Sequence, residues 1–326
     1  MRPAVISQKF HTRGAAMIMV AVAALYVALS GGIDNVLPSS GDCGLGLPSA
    51  SRWVLPYGWS LAINVGLNIL IMAMMVIINK AFNVLRAMTW LEVGLFALMQ
   101  AAVPRDVTAI GSGTLVAAGV VICTFLLFSC YDAPDRVRTV FLAFMLLSLG
   151  SATQYSFAFY IPVFWVVCMQ MRIFNLRVFL ASVMGILTVW ILLAGLGIVS
   201  PVHIGLPDIS AIFFADNLHS SVYLLTVTAL TAFMLVASIA LNVFKTIAYN
   251  ARARSYNGAL TIIAAFTVAA MALDFDNLLT YLPILNVCAA YQITHYFVNH
   301  RYDRQYIGIL AVAGVYIALY LWRLTL

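Results

Sequence analysis

The sequence predicts an all-α protein, a polytopic transmembrane helix bundle with about ten or eleven membrane segments. Three observations lead to this fold class. Only 28 of the 326 residues are charged, whereas an ordinary soluble domain of this length carries about 80 charged residues. The mean hydropathy is +1.02. The apolar residues also fall into long runs separated by short polar loops, and helices of about 20 apolar residues are the segments that cross a bilayer.

The same arithmetic predicts a single integral membrane domain over residues 1–326, with no soluble domain. Ten or eleven spans use roughly 200 to 220 residues. Many short loops share the remainder of the chain. Composition therefore excludes a nucleotide-binding ATPase module, a soluble glycosyltransferase domain and any other water-soluble catalytic core.

Apolar runs between polar, glycine and proline residues set the bounds of the predicted segments. The first run follows a basic stretch and is long, so we expect it to remain as an uncleaved helix rather than a removed signal peptide. The segments are 14–30, 59–79, 87–103, 108–130, 139–150, 154–171, 178–199, 221–244, 258–273, 278–298 and 305–323.

The run from Thr139 to Met171 is predicted to be a hairpin with two short legs. At 1.5 Å per residue it would make one helix of about 50 Å, too long for one crossing and short for two. The basic loops on either side of it must lie on the same side of the membrane, so the chain has to turn back near 150–154. Irregular backbone at membrane depth must be buried in protein or line a watery cavity. The bend is therefore a candidate site, and its Gln154 and Tyr155 are candidate substrate-binding residues.

The loop charges predict the orientation of the bundle. Fourteen of the 17 basic residues fall in alternate loops and in the N-terminal tail, and only Arg52, Arg105 and Arg323 fall on the other side. The positive-inside rule then predicts that these loops and the N-terminus are cytoplasmic. Seven of the eleven acidic residues lie on the opposite, outer side.

Asp274 and Asp276 are the sharpest acidic pair on the outer side. They stand in a four-residue turn between two apolar segments. One interpretation is a cation site, or a general base that acts on a lipid-linked substrate. The other is a solvated polar turn with no further role. Both interpretations remain open from the sequence.

The outer loop 200–220 carries a second pair of candidates, Asp216 and His219. Its middle is apolar, which is typical of a short segment lying on the bilayer. The spacing of three residues places both side chains on one face if the loop is helical. Such a pair suits acid–base chemistry, but it also suits capping of an interfacial segment. Two residues alone do not define a metal site, and we expect no metal.

Arg52 and Arg105 stand out because arginine is scarce on the outer side of the predicted topology. A guanidinium on that side suits the phosphate or pyrophosphate of a lipid-linked substrate. The alternative for Arg105 is a local pair with the adjacent Asp106. Both arginines are predicted to be substrate-binding residues.

Glu92 is the one acidic residue well inside a predicted span. An ionisable group at that depth is costly and indicates function, and a proton-coupled transporter would need one. The alternative is that its side chain reaches the inner interface.

The stretch from Tyr131 to Leu193 contains an ordered series of short motifs. They are Tyr131-Asp132-Ala133, Arg136, Arg138, Leu149-Gly150-Ser151, Gln154-Tyr155, Tyr160-Ile161-Pro162, the run from Arg172 to Arg177 and Gly185-Ile186-Leu187. This series resembles an uncharacterised family of polytopic inner-membrane proteins of Bacteroidota. The resemblance implies the same membrane architecture and a location in the bacterial inner membrane, and that family provides no catalytic residues to transfer. A looser likeness, in architecture only, is to polymerases and glycosyltransferases that use polyprenyl-linked glycans.

Three functional hypotheses follow from these residues. The first is a cell-envelope enzyme that acts on a polyprenyl-phosphate-linked glycan at the outer leaflet, without a cofactor. The second is a secondary transporter or flippase that uses Glu92. The third is a noncatalytic membrane subunit with envelope protein partners. All three require membrane lipids around the protein, and none involves nucleic acid.

Overall fold

A computed structural model describes residues 9–30, 43–199, 222–246, 248–299 and 305–325, and for residues 276 and 325 the backbone alone. Within these ranges the chain forms twelve α-helices and no strand, which confirms the all-α bundle. The sequence predicts eleven of the helices, most of them to within a few residues, but α10 begins seven residues before the predicted segment 258–273, and the single turn α4 is not predicted. The helices are α1 Arg13–Leu29, α2 Tyr57–Phe82, α3 Leu91–Ala101, α4 Arg105–Thr108, α5 Ser112–Phe128, α6 Val137–Thr153, α7 Ser156–Gln170, α8 Leu176–Gly195, α9 Val222–Thr246, α10 Ala251–Leu273, α11 Leu278–Asn299 and α12 Gln305–Thr325.

The ends of the helices meet in two groups, which define an upper and a lower end of the bundle. At the lower end, Asn257 near the start of α10 donates to the carbonyl of Val84 after α2. There too, Asp132 after α5 donates its amide to the carbonyl of Met171 after α7. At the upper end, the α6–α7 bend contacts the turn between α10 and α11. The connections rich in arginine and lysine gather at the lower end, as the alternation of charges along the chain predicts.

Helix α11 lies at the centre of the bundle and is buried along nearly its whole length. It packs against α3, α5, α9 and α10. Pro283 removes one amide donor from this helix, which leaves the carbonyl of Leu279 without its usual partner four residues on. Helix α5 packs closely at that point, since a Cβ on Gly113 would lie 2.3 Å from this carbonyl oxygen.

The outer surface of the bundle is apolar. Large side chains such as Leu180, Ile191, Phe233 and Phe244 are exposed along α8 and α9, which is the surface expected of helices that face lipid. Among the helices of the described ranges, five are long and apolar enough to cross a membrane: α2, α8, α9, α10 and α12 up to Leu324. Helices α1, α3, α5, α6 and α7 are apolar but have only 11 to 17 residues. Helix α11 is long enough but too polar to be among the five, and its polar residues are buried inside the bundle.

The predicted hairpin is present as α6 and α7. The chain turns at Gln154, where the helical backbone becomes extended. The two legs have 17 and 15 residues, so they extend about 25 and 22 Å. Helix α8 packs along α6, and their close approach needs Gly185, because a Cβ there would lie 2.6 Å from the carbonyl oxygen of Phe141.

Candidate functional site

The carboxylate of Asp274 is held by three side chains where the hairpin bend meets the turn between α10 and α11. The phenol of Tyr155 donates to Oδ2 of Asp274, and the phenol of Tyr281 donates to the same oxygen at 2.9 Å. Asn277 donates to Oδ1 of Asp274 at 2.8 Å and to the Tyr155 hydroxyl at 2.7 Å. We call these four residues the tip cluster. Asp274 is partly exposed while its three partners are buried, so its carboxylate is oriented at the rim of the bundle.

Local backbone structure places the members of the tip cluster. Helix α10 ends at Leu273, and a 3-10 turn over Phe275–Asn277 leads into α11. This turn brings Asn277 back over Asp274, and Tyr281 follows one turn later on α11. Tyr155 stands in the hairpin bend, between Gln154 and the first residue of α7, and its hydroxyl reaches the turn between α10 and α11 from there.

A segment that precedes α2 fixes the hairpin bend from outside. The amide of Tyr155 donates to the carbonyl of Cys43 at 3.1 Å, and the amide of Leu47 donates to the carbonyl of Ala152 at 2.8 Å. Gly44 is required between them, because a Cβ there would lie 2.5 Å from the carbonyl oxygen of Ala152. Gln154 is fully buried, and its amide donates to the Ser156 hydroxyl at 3.4 Å. Gln154 therefore supports the bend and does not face an open surface.

The turn that contains Arg105 and Asp106 is partly recessed into the bundle. These residues begin the single helical turn α4, and Asp106 is buried. The main-chain carbonyl of Asp106 accepts from the side-chain amides of Asn64 at 2.8 Å and Asn68 at 3.2 Å. These two asparagines lie about 10 and 16 Å along α2 from its first residue. Arg105 is half-buried at this level.

Two further side chains join this buried group from α3 and α11. Gln100 donates its amide to the same Asp106 carbonyl at 3.4 Å. Asn286 donates to Oε1 of Gln100 at 3.0 Å. We call Asn64, Asn68, Gln100 and Asn286 the amide cluster. This cluster was not predicted from the sequence, although amide side chains inside apolar runs were a usable signal, since polar groups in spans face the bundle interior.

Glu92 is fully buried near the lower end of the bundle. It is the second residue of α3, where the helix dipole favours a negative charge. Asn79 donates to its Oε1 at 3.4 Å, and its Oε2 accepts no hydrogen bond from the residues that the structure describes. Glu92 therefore lies inside the protein near the lower end of the bundle, and its role in proton coupling stays a prediction.

The other predicted site residues fall in different places. Arg52 is exposed in the 3-10 turn Ala50–Arg52, which packs against α5. Asp216 and His219 lie outside the described residues. Asp276 is described by its backbone alone, within the turn that follows Asp274. The structure thus brings Tyr155 and Asp274 together directly, with Gln154 beside them.

Metal coordination and similarity to known proteins add no further constraint. In the part of the chain that the structure describes, no group of three or more histidine, cysteine, aspartate or glutamate side chains is placed to hold a metal ion. Comparison of the chain with protein families, with curated proteins and with solved structures found no match.

Proposed function

We propose that the protein is a multispan membrane enzyme of the bacterial cell envelope that acts on a lipid-linked glycan at the membrane surface formed by the upper end. The observation that carries this proposal is the oriented carboxylate of Asp274. Donors from Tyr155, Tyr281 and Asn277 hold it at the rim of the bundle. Partial exposure leaves it accessible to a substrate whose lipid part remains in the bilayer.

The chemistry of the tip cluster suits glycan transfer or hydrolysis. A fixed carboxylate acts as a general base, or it stabilises the positive charge that develops at a sugar carbon in the transition state. Because its orientation is set before the substrate binds, little reorganisation is needed during the reaction. Arg52 is exposed in the segment that precedes α2 and contacts the hairpin bend. Its guanidinium suits the phosphate of the lipid carrier.

The sequence also supports the cellular setting of this proposal. Basic residues are concentrated in the connections of the lower end, so the upper end would face away from the cytoplasm. The resemblance of 131–193 to the inner-membrane family of Bacteroidota agrees with that placement. A polyprenyl-phosphate-linked glycan is then the proposed substrate class, and membrane lipid is the medium that delivers it.

The test is a deletion strain complemented with single variants, with envelope lipids and glycans profiled by mass spectrometry. Asp274→Asn should accumulate the same lipid-linked precursor as the deletion, at a normal level of protein in the membrane. Arg52→Ala, at an exposed position, should accumulate it partially. Asp135→Asn is the matched control, because Asp135 is an exposed acid at the lower end, and it should behave as wild type. A wild-type profile in both Asp274→Asn and Arg52→Ala would overturn the proposal.

The second candidate function is proton-coupled transport, and Glu92 is the observation that favours it. A buried carboxylate whose one hydrogen-bond partner among the described residues is Asn79 can exchange a proton as its surroundings change. Under this alternative Glu92→Gln abolishes function and Asp274→Asn does not. The same complementation experiment therefore separates the two functions by which variant fails.

A further inference from the structure

Three side chains of the amide cluster donate to the main-chain carbonyl of Asp106, and the fourth, Asn286, donates to Gln100. The carbonyl of Asp106 can only accept hydrogen bonds, so Asn64, Asn68 and Gln100 must turn their NH₂ groups toward it. Gln100 then presents its oxygen to Asn286, which must turn its own NH₂ group toward Gln100. The amide orientations in this cluster follow from that single carbonyl and are not interchangeable.

This arrangement leaves three oxygens without donors. Oδ1 of Asn64, Asn68 and Asn286 is buried and accepts no hydrogen bond from the described residues. The side chains of Asn64 and Asn286 are fully buried, and that of Asn68 is 6 % exposed. A buried amide oxygen without a partner costs about 1–3 kcal/mol. The three oxygens belong to one hydrogen-bond network, because Asn64 and Asn68 donate to the Asp106 carbonyl and Asn286 is linked to it through Gln100. Each of them needs a donor or a cation.

The charge of the site selects the class of ligand. The cluster side chains are neutral amides, and the neighbouring Arg105 and Asp106 carry opposite charges that cancel in the net charge of the turn. Divalent cations are held by several carboxylates, which the cluster lacks. Monovalent alkali cations are coordinated by neutral carbonyl oxygens that replace their hydration shell, often at unwound backbone inside membrane bundles. The turn around α4 supplies such backbone between α3 and α5.

We propose that the side-chain oxygens of Asn64, Asn68 and Asn286 bind a dehydrated monovalent alkali cation between α2, α4 and α11. The ion satisfies the three orphan oxygens and ties together helices that otherwise meet through the Asp106 carbonyl. This proposal goes beyond the proposed enzymatic function and does not depend on it. The ion stabilises the fold, and in a transporter it would be a coupling ion.

The experiment measures the thermal unfolding of the purified full-length protein in nanodiscs. The buffers contain NaCl, KCl, MgCl₂ or N-methylglucamine chloride at equal ionic strength. Sodium or potassium at a hundredfold excess over its dissociation constant should raise the unfolding temperature by about 5 °C over N-methylglucamine. Radioactive sodium and rubidium should show saturable binding of one ion in whichever salt is effective.

Variants localise the ion. Asn286→Leu removes one ligand oxygen at similar volume and should lose at least tenfold in cation affinity, with Asn68→Ala as a second variant. Asn257→Leu is the matched control, since Asn257 is also buried and also donates to a main-chain carbonyl, and it should keep the cation response. Equal unfolding temperatures in all salts without saturable binding would overturn the proposal, because the site then holds only water. A response to magnesium alone, or one that Asn286→Leu and Asn68→Ala both retain, would also overturn it.

Discussion

Asn286 and Gln100 are joined across the centre of the bundle by a hydrogen bond of 3.0 Å, in which the asparagine amide donates to the glutamine oxygen. The two residues lie on α11 and α3, far apart in the chain and both buried. In a bilayer the hydrophobic effect does not drive helices together, so packing and hydrogen bonds of this kind set which helices meet. Removing either partner should therefore loosen the contact between α3 and α11.

Gln100→Leu tests this contact. The leucine leaves the amide of Asn286 without an acceptor and removes one donor from the Asp106 carbonyl. We expect a loss of about 1–2 kcal/mol in stability, measured as a lower unfolding temperature in detergent. Gln170→Leu is the control, because Gln170 is only half-buried, and it should change the unfolding temperature little. Equal effects of the two substitutions would contradict the prediction.

Tyr155→Phe tests the attachment of the hairpin bend to the turn between α10 and α11. It removes the donor to Oδ2 of Asp274 and the acceptor for Asn277. The buried amide of Asn277 then loses one partner, which should destabilise the fold by about 1–3 kcal/mol and increase proteolysis at the bend. Tyr57→Phe, at an exposed position on the same end of the bundle, should behave as wild type in both measurements.

Gly113→Ala tests the close packing of α5 on α11. The added Cβ would lie 2.3 Å from the carbonyl oxygen of Leu279, so the two helices must separate. We expect a marked drop in unfolding temperature. Gly66→Ala is the matched control within α2, since nothing lies within 4 Å of its Cβ position, and it should be neutral or slightly stabilising because alanine favours helix. A harmless Gly113→Ala would mean that the helices are not in contact at this point.

Glu92→Gln separates the two candidate functions without damaging the fold. The amide keeps the volume of the side chain and removes a charge that is costly to bury, so the unfolding temperature should stay equal or rise. Under the enzymatic proposal the glycan profile should remain that of wild type. Loss of function with intact folding would instead favour transport. Glu92→Ala should be less stable than Glu92→Gln, because it leaves a cavity.

Cysteine labelling tests the predicted orientation. With Cys43 replaced by serine, Val54→Cys at the upper end and Asp135→Cys at the lower end are both exposed, while the four remaining native cysteines are buried. An impermeant maleimide should label position 54 in intact spheroplasts and position 135 only after permeabilisation. The reverse pattern would invert the topology that the basic residues predict.

Helix positions were predictable because spans differ from loops in polarity along the chain. The runs bounded by Gly, Pro and charged residues coincide with eleven of the helices, and the hairpin bend falls at Gln154 as expected. The grouping of basic connections at one end follows from the same alternation. The turn α4 was not predictable in this way, since four residues carry no periodicity.

The candidate site was only partly predictable. Tyr155 and Asp274 were each singled out, but their contact joins positions 119 residues apart and no local pattern encodes it. The amide cluster was missed because its organising partner is a main-chain carbonyl at Asp106, and any residue type carries that group. Neutral amides inside spans, such as Asn64 and Asn286, are the part of the signal that sequence does contain.

The burial of α11 has a consequence for how the chain enters the membrane. This helix is long enough to span a bilayer, yet it lacks the apolar composition of the five helices that are suited to cross one. It would partition poorly into lipid by itself, because several of its polar side chains find their partners on other helices: Asn286 on α3, Tyr291 on α2 and Gln292 on α9 and α10. We therefore expect the earlier helices to remain near the insertion machinery until α11 emerges and packs against them. A ribosome-bound chain that contains α1 to α8 followed directly by α11, without α9 and α10, should fail to integrate α11.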